Sequence, residues 1–198
     1  MTNMWQTKKL GEVCEVVGGG TPKTNVAKYW NGDLFWATPK DLGRLEGFEI
    51  SETERKISKE GLENSSAKLL PIGSVILSSR APIGYVFINT VEMTTNQGCR
   101  SFISSSKIYN KYLYYFLISN TEYLNSLGSG TTFKEISGST LKEIEIPLPA
   151  LNEQKRIVKK LDMLFAETKK LAKIYEQKLA DLEELKKSVL AKAFHAEL

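Results

Sequence analysis

GSGTTFKEISGSTLKEIEIPLPALNEQKRIVKKL, residues 128–161, passes in one run from a Gly/Ser/Thr loop to an alternating strand, a Pro-X-Pro break and a charged helix. Ile144, Ile146 and Leu148 alternate as a half-buried strand does, and the prolines at 147 and 149 end it. Asn152 follows as a candidate N-cap, because its side chain can accept from the free amides of a first helical turn. Glu153 then sits at the positive end of the helix dipole. No Gly or Pro occurs from there to Leu198, so the spacing predicts a helix of about 44 residues, roughly 66 Å long. The expected fold class is α+β: a mixed α/β domain over residues 1–150, then one long helix over 151–198.

A heptad with Leu161 at position a places Gln154, Thr168, Tyr175, Leu182 and Val189 in the same series. Its d series is Ile157, Leu164, Leu171, Lys178, Leu185 and Lys192. The apolar members (Ile157, Leu161, Leu164, Leu171, Tyr175, Leu182, Leu185, Val189) form a stripe that Phe165, Ala172 and Leu179 widen. A lone helix cannot cover such a stripe. An antiparallel coiled coil with a second copy of the chain is the expectation; folding back onto the chain's own domain is the alternative, and that domain is too short to cover the length.

Composition narrows the function. The chain has 198 residues, 41% of them hydrophobic and 10% aromatic, enough for a real core. No apolar run approaches the roughly 18 residues of a membrane span, and MTNMWQTKKLGEV has no signal-peptide core. Cys14, Cys99 and the single histidine, His195, lack metal-ligand spacing, so no metal site is expected and a reducing cytoplasm is the plain inference. Residues 1–150 carry 16 Lys/Arg against 15 Asp/Glu, and residues 151–198 carry 11 against 8. That balance permits nucleic-acid binding by a local patch without arguing for it.

Along the first 150 residues, Leu10–Val17 reads as a strand ending in Gly18-Gly19-Gly20, with Thr21–Thr24 as a turn. Leu34–Ala37 is a short strand and Thr38–Asp41 a second turn. Gly61–Lys68 has one or two helical turns. Ser74–Ser79 and Tyr85–Asn89 are strands around Arg80–Gly84, and Glu92–Phe102 is a strand interrupted at Asn96-Gln97-Gly98. Tyr109–Leu127 has helical spacing, with Leu113, Phe116, Leu117, Tyr123 and Leu124 as core candidates.

Catalytic motifs are missing. There is no Walker loop, no Gly-X-Gly-X-X-Gly, no metal cluster and no Asn-Pro-Pro-aromatic motif of an adenine-N6 methyltransferase. Asp41 with Glu54-Arg55-Lys56 mimics the Asp…Glu-X-Lys site of many nucleases, but two carboxylates and a lysine at loose spacing do not fix a metal. They read as a solvated charge cluster.

Six segments, in order, resemble the specificity (S) subunit of type I restriction–modification systems. They are Leu10–Val13 leading to Gly18–Pro22, then Trp36–Leu42, Leu77–Gly84, Thr95–Gly98, Gly130–Ser137, and Ile146–Pro149 running into Glu153–Val158. The resemblance implies that residues 1–150 are a target recognition domain and that the terminal helix is a spacer arm for dimerisation and M-subunit docking. Subunits of that family read a split DNA sequence and carry no catalytic residues. Their M partners use S-adenosylmethionine to methylate adenine, and their R partners use ATP and Mg to translocate and cleave. The chain itself would need no cofactor. It has one domain and one arm where the family has two of each, so it is either a natural half-subunit or a fragment. Two copies paired antiparallel about a two-fold axis would rebuild the architecture and read an interrupted palindrome in double-stranded DNA. A stand-alone DNA-binding regulator is the competing reading, separable by whether an M subunit co-purifies.

Within that reading, Gly-rich loops with Thr and Lys suit phosphate contact, which selects Thr21, Lys23, Thr24, Lys40, Thr131, Thr132 and Lys134. Arg80, Asn96, Gln97 and Arg100 can make the bidentate contacts that read base edges. Asn96 and Gln97 could equally close a turn, and Arg80 could make a structural contact beneath the Ala-Pro-Ile-Gly turn. Base readers could also lie in Ala27–Gly32, Leu42–Phe48 or Ser104–Lys111.

Overall fold

The computed structural model describes residues 5–130 and 134–194. It divides into two compact units, Met1–Lys155 and Arg156–Leu198.

Among the described residues, the first unit holds ten strands and six helices ahead of the long helix. Strand β1 (Gln6–Lys9) runs into a helical turn, α1 (Leu10–Val13), and then β2 (Cys14–Gly18). A single 3-10 turn, Ala27–Tyr29, precedes β3 (Trp30–Ala37), α2 (Pro39–Leu42), β4 (Glu49–Ile50), β5 (Lys56–Ile57) and α3 (Lys59–Glu63). Strands β6 (Val75–Ser79), β7 (Ile83–Asn89), β8 (Met93–Thr95) and β9 (Cys99–Ser104) follow. Helices α4 (Asn110–Ser119), α5 (Thr121–Leu127) and α6 (Gly138–Glu143) lead to β10 (Glu145–Leu148) and α7 (Leu151–Phe194).

These strands make a five-stranded sheet of order β2-β9-β6-β7-β4, a three-stranded sheet of order β5-β3-β8, and a β1-β10 pair. Central strand β6 is buried along its whole length, as a strand covered on both faces must be. Its two neighbours are antiparallel to it, with Leu77 opposite Val86 on one side and Arg100 on the other. A core of Val17, Ala37, Leu42, Ile50, Leu70, Ile76, Phe87, Met93 and Cys99 joins the large sheet to the small one. Each large side chain in it contributes about 1.5–3 kcal/mol of burial. A second cluster packs Trp30 edge-on against Trp36, with Ile57 and Ala67.

Several expectations need correcting. Leu10–Val17 is not one strand: Leu10 and Val13 are both buried at helical spacing, and a turn of helix separates two strands of different sheets. Asn152 is not the N-cap, because the Ala150 carbonyl already accepts from the amides of Glu153 and Gln154 at 2.9 and 3.0 Å. The turn at Thr38 is a capped helix, and Leu34–Ala37 is the end of an eight-residue strand. The helical segment expected over Gly61–Lys68 is a single turn beginning earlier, at Lys59. Glu92–Phe102 splits between two sheets, and Tyr109–Leu127 breaks at Asn120. Tyr123, expected in the core, is 49% exposed, whereas Leu113, Leu117 and Leu124 are fully buried. Strand β10 pairs antiparallel with β1. The short helix α6 was not anticipated; the Ser137 hydroxyl caps it by accepting from the Thr140 amide.

Gln154, in the first turn of α7, is a wholly buried side chain. Its carbonyl accepts from the Tyr109 amide at 2.8 Å, and its amide donates to the carbonyls of Lys107 and Pro149. Beyond it, Leu164, Leu171, Tyr175, Leu182, Leu185 and Val189 are 45–62% exposed, while Ile157 and Leu161 are half-buried. The stripe therefore exists on a continuous helix. No helix among the described residues is long and apolar enough to cross a membrane.

Candidate nucleic-acid interface

At one end of strands β2, β9 and β6, five of the motif-bearing segments are knitted together by main-chain hydrogen bonds. The Gly19 amide donates to Cys99, and the Gly20 amide to Thr95 at 2.9 Å. Both glycines are required by proximity: a Cβ on Gly19 would stand 1.9 Å from the Asn96 oxygen, and one on Gly20 would stand 2.2 Å from the Ala67 nitrogen. The buried Trp36 indole donates to the Gly20 carbonyl at 2.8 Å. The Thr21 hydroxyl bonds the Gln97 carboxamide.

The Asn96 side chain accepts from the Gly98 amide at 2.9 Å, and the Asn96 main-chain amide donates to the Ala37 carbonyl. It closes the turn, one of the two roles its residue type allowed. The Gly98 carbonyl accepts from the Ser79 amide at 2.8 Å, and the Ser79 carbonyl accepts from Ile136 at 3.0 Å. The glycine loop, the Thr38–Asp41 turn, the Arg80 turn, the Asn96–Gly98 turn and, through Ile136, the Glu135–Ser137 stretch with Ser129 thus share one frame. Thr38, Lys40, Arg80, Asn96 and Gln97 line a hollow of about 340 Å³ within it.

The cations around the hollow differ in how they are held. Lys40 pairs with Glu54 at 2.8 Å, and Arg44 reaches the same carboxylate at 2.8 Å. The Lys40 hydrogen bond and charge, helped by Arg44, hold the Glu54 carboxyl below its ordinary range. All three groups are exposed, so these pairs contribute little to stability. Lys23, Thr24 and Lys134 are exposed as well. Thr131 and Thr132 lie outside the described residues, as does His195.

Arg100 is more deeply placed. Its Nη1 donates to the carbonyls of Gln97 and Cys99 at 3.2 Å, and its Nη2 donates to Glu135 at 3.1 Å. With only 18% of its side chain exposed, it works as a clasp between the Asn96–Gly98 turn and Glu135. Arg80 faces the other oxygen of Glu135 at 3.8 Å.

The nuclease-like cluster does not converge on a metal. Asp41 caps α2, accepting from the Thr38 amide and hydroxyl and from the Glu54 amide. Lys56 stands over the Phe35 ring and Arg55 over the Trp30 ring, 3.7 Å from its centroid. Burial pushes the Cys14 and Cys99 thiols up to about 12, so neither supplies a thiolate near neutrality.

Sequence reasoning missed Glu135 and Arg55. Glu135 lies inside a matched segment, but its partners are 35 and 55 residues away and a lone glutamate gives no local signal. The arrangement as a whole offers hydroxyls, carboxamides, ammonium groups and guanidiniums on a rigid frame, the chemistry that phosphates and base edges accept.

Comparison with known proteins gives the family. Residues 3–180 match the family described as the type I restriction modification DNA specificity domain, and the chain belongs to it. It is 44% identical over 178 residues to the type I restriction enzyme MjaIX specificity subunit of Methanocaldococcus jannaschii, covering 87% of this chain and 41% of that protein. It is 34% identical over 165 residues to the EcoR124I/EcoR124II specificity subunit of Escherichia coli, covering 80% of this chain and 40% of that protein. A chain solved in work on assembly and conformational transition of the type I R-M system superposes with a TM-score of 0.79 at 25% identity, over all of this chain and 47% of its own length. The HsdS subunit from Thermoanaerobacter tengcongensis has the same fold, with a TM-score of 0.73 at 24% identity over all of this chain and 46% of its own. The chain therefore spans about two fifths of the length of these curated relatives.

Proposed function

From this family membership we propose that the chain is a DNA-sequence-recognition element of a type I restriction–modification complex. The unit Met1–Lys155 binds one half of a bipartite target, and the helix that follows serves as spacer, dimer contact and docking segment for M and R subunits. The chain contributes no catalysis: methyl transfer from S-adenosylmethionine belongs to M, and ATP- and Mg-dependent cleavage belongs to R. The single observation behind this reading is the main-chain joining of five motif-bearing segments, three of which line one hollow with Lys40, Arg80, Asn96 and Gln97. Phosphate contacts from Thr21, Lys23, Thr24, Lys40 and Lys134 would set register, leaving Arg80 and Gln97 for base edges.

In the same proposal two copies pair their α7 helices antiparallel about a two-fold axis. The exposed leucine stripe supports this, because an isologous contact covers the same stripe on both copies. Two identical recognition units so related read an interrupted palindrome. Methylome sequencing of cells expressing the chain with an M subunit tests the whole reading. The expected result is N6-methyladenine within a split, symmetric motif. Methyl transfer by the chain without M would overturn it.

A further inference from the structure

We propose that Arg55 is a phosphate anchor of the recognition surface, presented by a tryptophan pair, an inference that rests on the DNA-recognition reading above. Arg55 lies outside all six matched segments. Its guanidinium stands over the Trp30 ring, 3.7 Å from the centroid, and 5.3 Å from the centroid of Trp36. Both tryptophans are buried, and their rings meet edge to face at 5.1 Å. The Arg55 main chain is fixed as well: its carbonyl accepts from the Trp36 amide at 3.2 Å and from the Thr53 hydroxyl at 2.6 Å. The same two indoles hold the glycine loop. Trp36 donates to the Gly20 carbonyl at 2.8 Å, and Trp30 donates to the Lys23 carbonyl at 3.2 Å. One indole thus carries Arg55 on its face and, through its N–H, the loop that bears Thr21, Lys23 and Thr24.

Charge sets Arg55 apart. Arg44, Arg80 and Arg100 stand 2.8, 3.8 and 3.1 Å from carboxylates. Glu54, the carboxylate next to Arg55 in the chain, is engaged by Lys40 and Arg44. Among the described residues Arg55 makes no ion pair and no side-chain hydrogen bond, and it is exposed. An indole face attracts a guanidinium through the ring quadrupole and leaves the in-plane N–H donors pointing away from the ring. Those donors form a planar fork that fits a phosphate with two parallel bonds. Stacking fixes the plane of the fork before a ligand arrives, so less side-chain freedom is lost on binding. Phosphate is favoured over a base edge because its full charge adds Coulomb attraction to the hydrogen bonds. A stem that only shields Trp30 from water would need its methylenes and not its charge.

The test compares the full chain with Arg55→Met and Arg55→Lys on a random-sequence duplex pool, by fluorescence anisotropy between roughly 50 and 200 mM salt. Methionine keeps an apolar cover over Trp30 and removes the charge, whereas lysine keeps the charge. Arg55→Met is expected to bind the pool roughly tenfold more weakly, with a salt slope shallower by about one, and Arg55→Lys to keep the slope of the unaltered chain. Urea unfolding of each variant reads the fold separately, and Arg55→Gln gives the same slope reading should the methionine variant not fold. An unchanged slope on removing the charge overturns the inference, and unchanged slope with an altered sequence preference would move Arg55 from phosphate to a base edge. A lysine variant as shallow as the methionine one also overturns it, because charge would then not be the cause. Absence of any salt-dependent binding by the unaltered chain would overturn the DNA-recognition reading itself, a failure distinct from that of the Arg55 assignment.

Discussion

The backbone of Gly19 runs so close to Asn96 that a Cβ on residue 19 would stand 1.9 Å from the Asn96 carbonyl oxygen. The neighbour is main chain, held in place by its bonds to Cys99 and Ala37, so it cannot yield as a flexible side chain would. Gly19→Ala must push the glycine loop away from the Asn96–Gly98 turn. The expected cost is about 3 kcal/mol of stability, with DNA binding weakened as well because the Asn96–Gly98 turn that would be displaced lines the hollow. Denaturant unfolding and gel shift on the same preparation check this. An alanine variant of unchanged stability would refute it.

Gln154 satisfies three main-chain groups with one buried carboxamide, the Pro149 carbonyl being fully buried and the other two partly so. Alanine there leaves the Tyr109 amide and the Lys107 and Pro149 carbonyls short of partners. An orphaned buried group costs about 1–3 kcal/mol, so Gln154→Ala should lower unfolding stability by at least about 2 kcal/mol. Urea titration would show the midpoint fall at constant slope.

Lys134 adjoins Glu135 and is exposed, as a phosphate contact must be. Lys134→Ala should weaken binding to all duplexes alike and flatten the salt slope by about one. An unchanged slope would remove it from the phosphate-binding set.

The two thiols give a pH prediction. Burial pushes both up to about 12, above the ordinary range near 8.5. In the folded chain they stay neutral where the unfolded chain ionises, so their contribution to stability is complete below the unfolded value. It is lost as pH rises through the folded one. Stability should therefore fall between about pH 9 and 12. Replacing both cysteines with alanine should flatten that part of the profile, whatever it does to stability at neutrality.

What could be read from the sequence follows from the range of the interactions concerned. The long helix was legible because its signals are local: an uninterrupted run without Gly or Pro, and apolar residues at heptad spacing. Strands β6 and β7 were legible for the same reason. Leu10–Val13 was not, since its helical turn is stabilised by a bond from the Leu10 amide to Ile144, 134 residues away. The Asn152 cap failed because Gln154, two positions on, is tied to Tyr109 and Lys107 and draws the helix start back to Leu151. In the candidate site the residue types were visible one by one. The Arg100 clasp was not, because its partner Glu135 lies 35 residues away and gives no local signal.

The stripe on α7 carries the last prediction. Leu182 and Leu185 are 60% and 58% exposed on a helix that continues past them. If a second copy covers them, each leucine contributes about 1.5–3 kcal/mol, and a two-fold contact counts each twice. Replacing both with glutamate keeps good helix formers while removing four buried leucines and setting like charges in the contact. Association should weaken by more than about a thousandfold, turning a dimer into a monomer by multi-angle light scattering at micromolar concentration while helical circular dichroism from Met1–Lys155 persists. Assembly with an M subunit should fail in the same variant. A variant that remains dimeric would show that the pairing surface lies elsewhere, and an unaltered chain that is already monomeric would refute the paired helix.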